Sequence, residues 1–167
     1  MNDELKITPH ESLVIRSHTP AALDVEATWA PDGSAPPKHF HPAQDEHFEA
    51  LSGTLRARVD GEDHSLGPGE TLTIPRGKIH QMWNEGTEET RASWRTTPSL
   101  RTREWFETLD GLQRSGRVDR KGMPGPLAFG VYLTEYRDVF RLAGPQPLLR
   151  ATFAALGALG RLRGYRR

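Results

Sequence analysis

From about Leu13 to Arg95 the chain alternates hydrophobic and polar residues in short runs, and turn residues break the runs every eight to twelve positions. Successive side chains of a strand point to opposite faces, so such runs predict strands buried on one side. Leu13-Val-Ile-Arg is the first of them. In residues 24–30, Val25, Ala27 and Trp29 alternate with Asp24, Glu26 and Thr28, and Pro31-Asp-Gly reads as a turn. Residues 46–51 and 54–59 meet at Ser52-Gly53, and Asp60-Gly-Glu-Asp closes a further hairpin. Residues 70–75, 80–84 and 91–95 complete about eight strands with hairpin-length connections. That pattern predicts a mostly β fold, a compact antiparallel double-sheet barrel of jelly-roll type.

Past Pro98 the period becomes helical. Residues 103–114 place Trp105, Phe106, Leu109 and Leu112 on one side, and the charged, then Gly/Pro-rich stretch 117–126 reads as a loop. Residues 127–142 read as a second helix, with Val131 and Phe140 on its apolar face. Gly144-Pro-Gln-Pro is a break, and Pro147 suits the first turn of a third helix running toward Gly160. The organisation expected is a barrel with its N-terminal strand over 1–100. A helical extension follows over 101–167, packed on the barrel or on a dimer partner.

Composition narrows the function classes. The 167 residues suffice for one core and fall short of two ordinary domains with a linker. Zero net charge removes any global steering toward nucleic acid, and no helix-turn-helix is recognisable. The charge is uneven: residues 1–100 carry 9 Lys/Arg against 16 Asp/Glu, and residues 101–167 carry 13 against 6. After Asp138 there is no acid, while Arg141, Arg150, Arg161, Arg163, Arg166 and Arg167 remain. A basic tail lying on an acidic body accounts for this. A tail with its own partner, including an anionic membrane surface, is the other reading. No run approaches the length of a transmembrane helix, and the polar first residues carry no targeting signal. With no cysteine there is neither a disulfide framework nor a thiolate metal site. By elimination the expected location is cytoplasmic.

The chemistry concentrates in two windows, Gly33 to Gly53 and Gly69 to Asn84. His39 and His41 are two apart and share a strand face. Glu46 can return to the same point after a Pro-containing turn, and Gly53 permits a tight turn into the next strand. In the second window Pro75 ends a strand, Gly77 allows a turn, and His80 opens the strand that closes the cavity. Three imidazoles and one carboxylate leave open positions on a six-coordinate ion, as catalysis requires.

These windows resemble the two signature motifs of the cupin superfamily. Gly33, His39, His41, Glu46 and Gly53 match every named position of the first, and Gly69, Pro75, Gly77, His80 and Asn84 every one of the second. The resemblance covers roughly residues 20–97. It implies a double-stranded β-helix that holds one divalent metal ion per chain (Fe, Mn, Ni, Zn or Cu) through His39, His41, Glu46 and His80. It also implies a homodimer.

The same alternation turns Trp29, Phe48, Leu55, Ala57, Leu72, Met82 and Trp94 inward. Trp29, Phe48, Met82 and Trp94 are the expected substrate pocket, whose aromatic and thioether lining suits an apolar or aromatic small molecule. No second carboxylate pair and no arginine clamp are evident in that interior, and Lys38, Arg76 and Lys78 read as a solvated rim. His47 faces away from Glu46, His64 lies in a turn region, and His10 and His18 have no evident partner. The set resembles that of quercetinase-like cupins, with Glu46 as ligand and candidate base. Isomerisation, decarboxylation and a non-catalytic binding module are the alternatives.

Overall fold

A computed structural model describes residues 4–165, so Arg166 and Arg167 of the basic tail lie outside the described residues. The chain runs β1 (Glu4–Thr8), β2 (Glu11–His18), β3 (Leu23–Trp29), β4 (His39–Phe40), β5 (Asp45–Ser52), β6 (Leu55–Val59), β7 (Glu62–Leu66), β8 (Thr71–Ile74), β9 (His80–Trp83) and β10 (Thr90–Thr97). There follow α1 (Thr102–Arg114), α2 (Pro126–Glu135), β11 (Arg141–Leu142) and α3 (Gln146–Leu162). Two antiparallel sheets face each other: six strands in the order β1-β2-β3-β10-β5-β8, and five in the order β11-β4-β9-β6-β7. This is the antiparallel double-sheet barrel expected from the alternation and the double-stranded β-helix that the resemblance implies.

The burial pattern is that of a sheet with one wet face. Leu23, Val25, Ala27 and Trp29 of β3 are buried, as are Thr90, Ala92, Trp94 and Thr96 of β10, while the residues between them face outward. Glycine is required where the first window begins and ends. A Cβ on Gly33 would sit 2.8 Å from the Asn84 carbonyl oxygen, to which Gly33 N–H itself donates. Gly53 has φ +70 and a Cβ there would lie 2.6 Å from the Glu89 carbonyl oxygen. The buried Asn84 side chain donates to the carbonyls of Trp29, Ala30 and Glu88, fixing the turn that returns the chain to β10.

Three expectations are corrected. The first strand is not at Leu13: β1 precedes it and pairs with β2 at the sheet edge. β1 is anchored by α1, through Lys6 N–H to Asp110 and Gln113 to the Ile7 carbonyl, a tertiary bond that no local pattern carries. The second helix ends at Glu135 and not at residue 142. Arg101, on the barrel side, donates to the Glu135 carbonyl and bidentately to Asp138, which turns the chain out of the helix. Arg141 and Leu142 then pair with Phe40 and His39 as β11. Finally, His64 lies within β7, and the turn is at Asp60-Gly61.

α3 lies against α2. Gly130, Gly157 and Gly160 form the seam, where a Cβ on Gly157 would meet the Gly130 carbonyl oxygen at 2.9 Å. The two glycines that weaken α3 as an isolated helix therefore let it approach α2 closely. Arg161 of α3 reaches Glu135 of α2 at 3.8 Å. Leu148, Leu159 and Leu162 stay exposed. Among the described residues, no helix is long and apolar enough to cross a membrane.

Candidate metal centre

The two windows meet where β4 and β9 pair. His39 opposes His80 in the register, and Gly77 N–H donates to the His41 carbonyl at 2.8 Å, which ties the second window onto the first. β5 brings Glu46 in from the other sheet, 1% exposed. The candidate ligand atoms of His39, His41 and His80 all lie within 4.8 Å of one another.

The tautomers follow from the hydrogen bonds. Nδ1 of His39 contacts the Pro37 carbonyl at 2.9 Å, Nδ1 of His41 the Val139 carbonyl at 2.6 Å, and Nδ1 of His80 the Lys78 carbonyl at 2.9 Å. A carbonyl only accepts, so each Nδ1 carries the proton, and in a neutral ring the lone pair sits on Nε2. Such backbone carbonyls behind ligating imidazoles are the usual outer support of a metal site. Nε2 of His41 lies 3.2 Å from Glu46 Oε1, and Nε2 of His80 lies 3.0 Å from Glu46 Oε2. Glu46 Oε2 has no hydrogen-bond donor, whereas Oε1 accepts from the Trp94 indole at 3.1 Å. Lone pairs facing each other at that distance repel unless a proton or a metal cation lies among them. The donor set therefore fits a divalent ion.

The electrostatics agree. Burial and the neighbouring His80 and His41 charges push His39 down to about 3, and burial holds His41 low as well. Both rings are neutral and free to donate a lone pair. Burial opposes the Glu46 charge, yet the surrounding histidines bring it down to about 2. Burial works against a charge on His80 too, but the adjacent Glu46 carboxylate raises it. Without a metal, His80 is thus the ring that would take the bridging proton.

Trp29, Phe48, Met82 and Trp94 line one cavity together with these four residues. Its volume is about 140 Å³ and its remaining walls are mostly apolar. Phe48 stacks on Trp94 at 5.2 Å, and Phe106 of α1 meets Trp94 edge-on at 5.1 Å. His47 faces outward and contacts Thr73, as the alternation requires. Arg76 and Lys78 are exposed and paired with Asp45 and Asp60.

Sequence reasoning missed two contributors. The turn after α2 supplies Val139, whose carbonyl orients His41, and Phe140, which stacks on His39 at 4.7 Å. Reading Phe140 as helical hid this; the break after Glu135 depends on Arg101, far away in sequence. The other is Glu11, which enters the cavity from β2. Extending the alternation of Leu13 and Ile15 back by two residues would have found it.

Comparison with known proteins bears on the same segment. Residues 25–94 match the family model described as a cupin domain. The chain is 29% identical over 96 residues to tetracenomycin polyketide synthase protein TcmJ of Streptomyces glaucescens, covering 58% of each protein. It is 27% identical over 71 residues to quercetin 2,3-dioxygenase of Bacillus subtilis, covering 42% of this chain and 21% of that one. It thus spans less than two thirds of the length of either relative. An RmlC-like cupin from Shewanella frigidimarina superimposes with a TM-score of 0.55 at 13% identity, over 61% of this chain and 88% of that one, and shares the fold.

Proposed function

Because residues 25–94 belong to the cupin superfamily, we propose that the protein is a metal-dependent enzyme of dioxygenase-like type acting on an apolar or aromatic small molecule. His39, His41, Glu46 and His80 would hold the ion. The observation that carries this reading is that the ligand atoms of His39, His41 and His80 lie within 4.8 Å of one another, with Nε2 of His41 and His80 also 3.2 and 3.0 Å from the buried Glu46 carboxylate. When bound, a divalent ion there supplies a Lewis acid and a template for oxygen ligands. Quercetin 2,3-dioxygenase among the relatives supports the reaction class.

The protein's own residues do the rest. The Pro37, Lys78 and Val139 carbonyls lock the imidazoles in one tautomer. Trp94 fixes the carboxylate plane of Glu46 through Oε1. Apolar walls keep water from the reacting centre and strengthen every polar interaction within it. Glu46, held ionised, can act as ligand and can accept a proton but has none to give. A Glu46→Gln variant that keeps both metal and turnover would sink its assignment.

The decisive experiment is metal content by mass spectrometry on untagged protein, beside His41→Ala. Near one Fe, Mn, Ni or Cu per chain, lost in the variant, supports oxygen chemistry. Stoichiometric Zn moves the reading to a metal-dependent isomerase or decarboxylase. A chain that stays empty and cannot be loaded leaves a non-catalytic binding module. We take the protein to be a homodimer, as its family resemblance implies, and cytoplasmic by elimination; sedimentation of the loaded protein tests the dimer.

A further inference from the structure

The cavity holds one more carboxylate, which neither motif contains. Glu11 of β2 is the register partner of Trp29 at the end of β3, and both side chains line the cavity. The register places Glu46 level with Leu23 through Thr96, so Glu11 and Glu46 enter from opposite ends of β3. Trp29 is 4% exposed, and its indole Nε1 has no hydrogen-bond partner. Among the described residues nothing hydrogen-bonds the Glu11 carboxyl, which feels only its apolar surroundings and the Glu46 charge. Thr8, the other polar residue at that end of the cavity, already accepts from His10 N–H.

Two unpaired polar groups, one donor and one carboxyl acceptor, therefore face the same apolar space. Buried polar groups are normally satisfied, so the buried, unpartnered Trp29 Nε1 in one cavity with the half-buried, unpaired Glu11 carboxyl marks where a ligand atom belongs. A hydroxyl both donates and accepts, and so satisfies the two at once. A carbonyl could not donate to the carboxylate, and an ammonium could not accept from the indole. The cavity volume of about 140 Å³ suits a single ring, since a cavity near 150 Å³ holds one benzene ring.

We propose that Glu11 and the Trp29 indole N–H form a hydroxyl-binding subsite, and that the substrate is a single-ring, otherwise apolar molecule carrying a hydroxyl group. This rests on the reading of the cavity as the substrate pocket. Burial and the Glu46 charge raise the Glu11 carboxyl to about 7, so it is ionised and accepting in mildly alkaline buffer.

Phenol and toluene, equal in size and different in the hydroxyl, are the probes. Their binding to the full metal-loaded chain at pH 8 is measured by ligand-observed NMR titration. Wild type is expected to bind phenol at least about tenfold more tightly than toluene, because bound toluene leaves both polar groups unpaired. Trp29→Phe and Glu11→Leu each bring the ratio to within about threefold of one while toluene affinity stays within about threefold of wild type. Glu11→Gln, which keeps an acceptor, falls between. The preference persists in His41→Ala and in chelator-treated wild type, where phenol has no ion to bind. Loss of the preference there would assign it to the metal and overturn the subsite. Toluene binding with a phenol ratio of one overturns the subsite and leaves the pocket standing. Binding of neither probe overturns the pocket reading and the subsite with it.

Discussion

Arg101 is remote from the candidate ligands, yet it holds the turn that reaches them. Its guanidinium donates to the Glu135 carbonyl, to Glu135 Oε1 at 3.2 Å and to both Asp138 oxygens at 2.6 and 3.1 Å, and it lies over the Tyr136 ring. One residue further on, Val139 offers its carbonyl to His41 Nδ1. Arg101→Met removes the charge and keeps most of the stem. The carbonyl bond contributes about 1 kcal/mol. The ion pairs, with side chains a third or more exposed, add about 1 kcal/mol after solvent screening. A loss of about 2 kcal/mol lowers the melting temperature by about 4–8 °C in a chain of this size. Losing an outer hydrogen bond behind a ligating histidine weakens metal binding by about 10- to 100-fold. Here the carbonyl is displaced and not deleted, so the lower end, about tenfold, is expected. Chelator competition on the loaded protein and a thermal melt of the metal-free protein read the two effects separately. A variant with the lowered melting temperature and unchanged metal affinity would refute the link from Arg101 through Val139 to His41.

Four further outcomes follow from the same geometry. Trp94→Phe keeps the stack on Phe48 but deletes the donor to Glu46 Oε1; metal affinity should drop about tenfold with retained fold, measured by the same competition. Gly157→Ala forces a Cβ to 2.9 Å from the Gly130 carbonyl oxygen and should cost about 1–3 kcal/mol in a urea titration. Gly111→Ala, in α1 with open space around its Cβ, should instead stabilise by up to about 1 kcal/mol, and equal shifts in the two variants would contradict the packing account. The Arg76 guanidinium holds Asp45 below its ordinary 3.8, and Lys78 does the same for Asp60. Their folded values are depressed, so their contribution is full above 3.8 and is lost as pH falls through the depressed values. Asp45→Asn should accordingly flatten the fall of the urea midpoint between pH 5 and pH 2.5, and a profile identical to wild type would count against it.

The barrel was legible because its determinants are local and periodic. Val25, Ala27 and Trp29, or Phe48 and Ala50, declare a face by alternation alone. The converging histidines were legible for a related reason: His39 and His41 sit on one strand, and Gly33, Gly53 and Gly77 mark the turns that bring the neighbours round. What was not legible is held by partners distant in sequence. β1 depends on Asp110 and Gln113 of α1, about a hundred residues on. The end of α2 depends on Arg101, because nothing in residues 127–142 forbids a longer helix; propensity there yields to one guanidinium. Trp29, Phe48, Met82 and Trp94 needed only the pleat. Phe140 needed the tertiary turn.

That division bears on where specificity resides. The segment matching the family, residues 25–94, contains all four candidate ligands and six further lining residues of the cavity. Other walls come from outside it, among them Glu11 from β2, Trp105 and Phe106 from α1, Met123 from the following loop, and Phe140 from the turn before β11. A fold shared with unrelated chemistries would therefore supply the candidate ion ligands, and the choice of small molecule would rest on Trp29 and its neighbours together with these segments outside the matched region. It follows that substitutions at Glu11 or Phe106 should change which small molecules bind while leaving metal content near wild type. Substitutions at His39, His41, Glu46 or His80 should remove the metal, whatever ligand is offered. A Phe106→Ala protein that lost its metal yet kept the wild-type ligand preference would reverse this division, since Phe106 touches Trp94 and not the histidines.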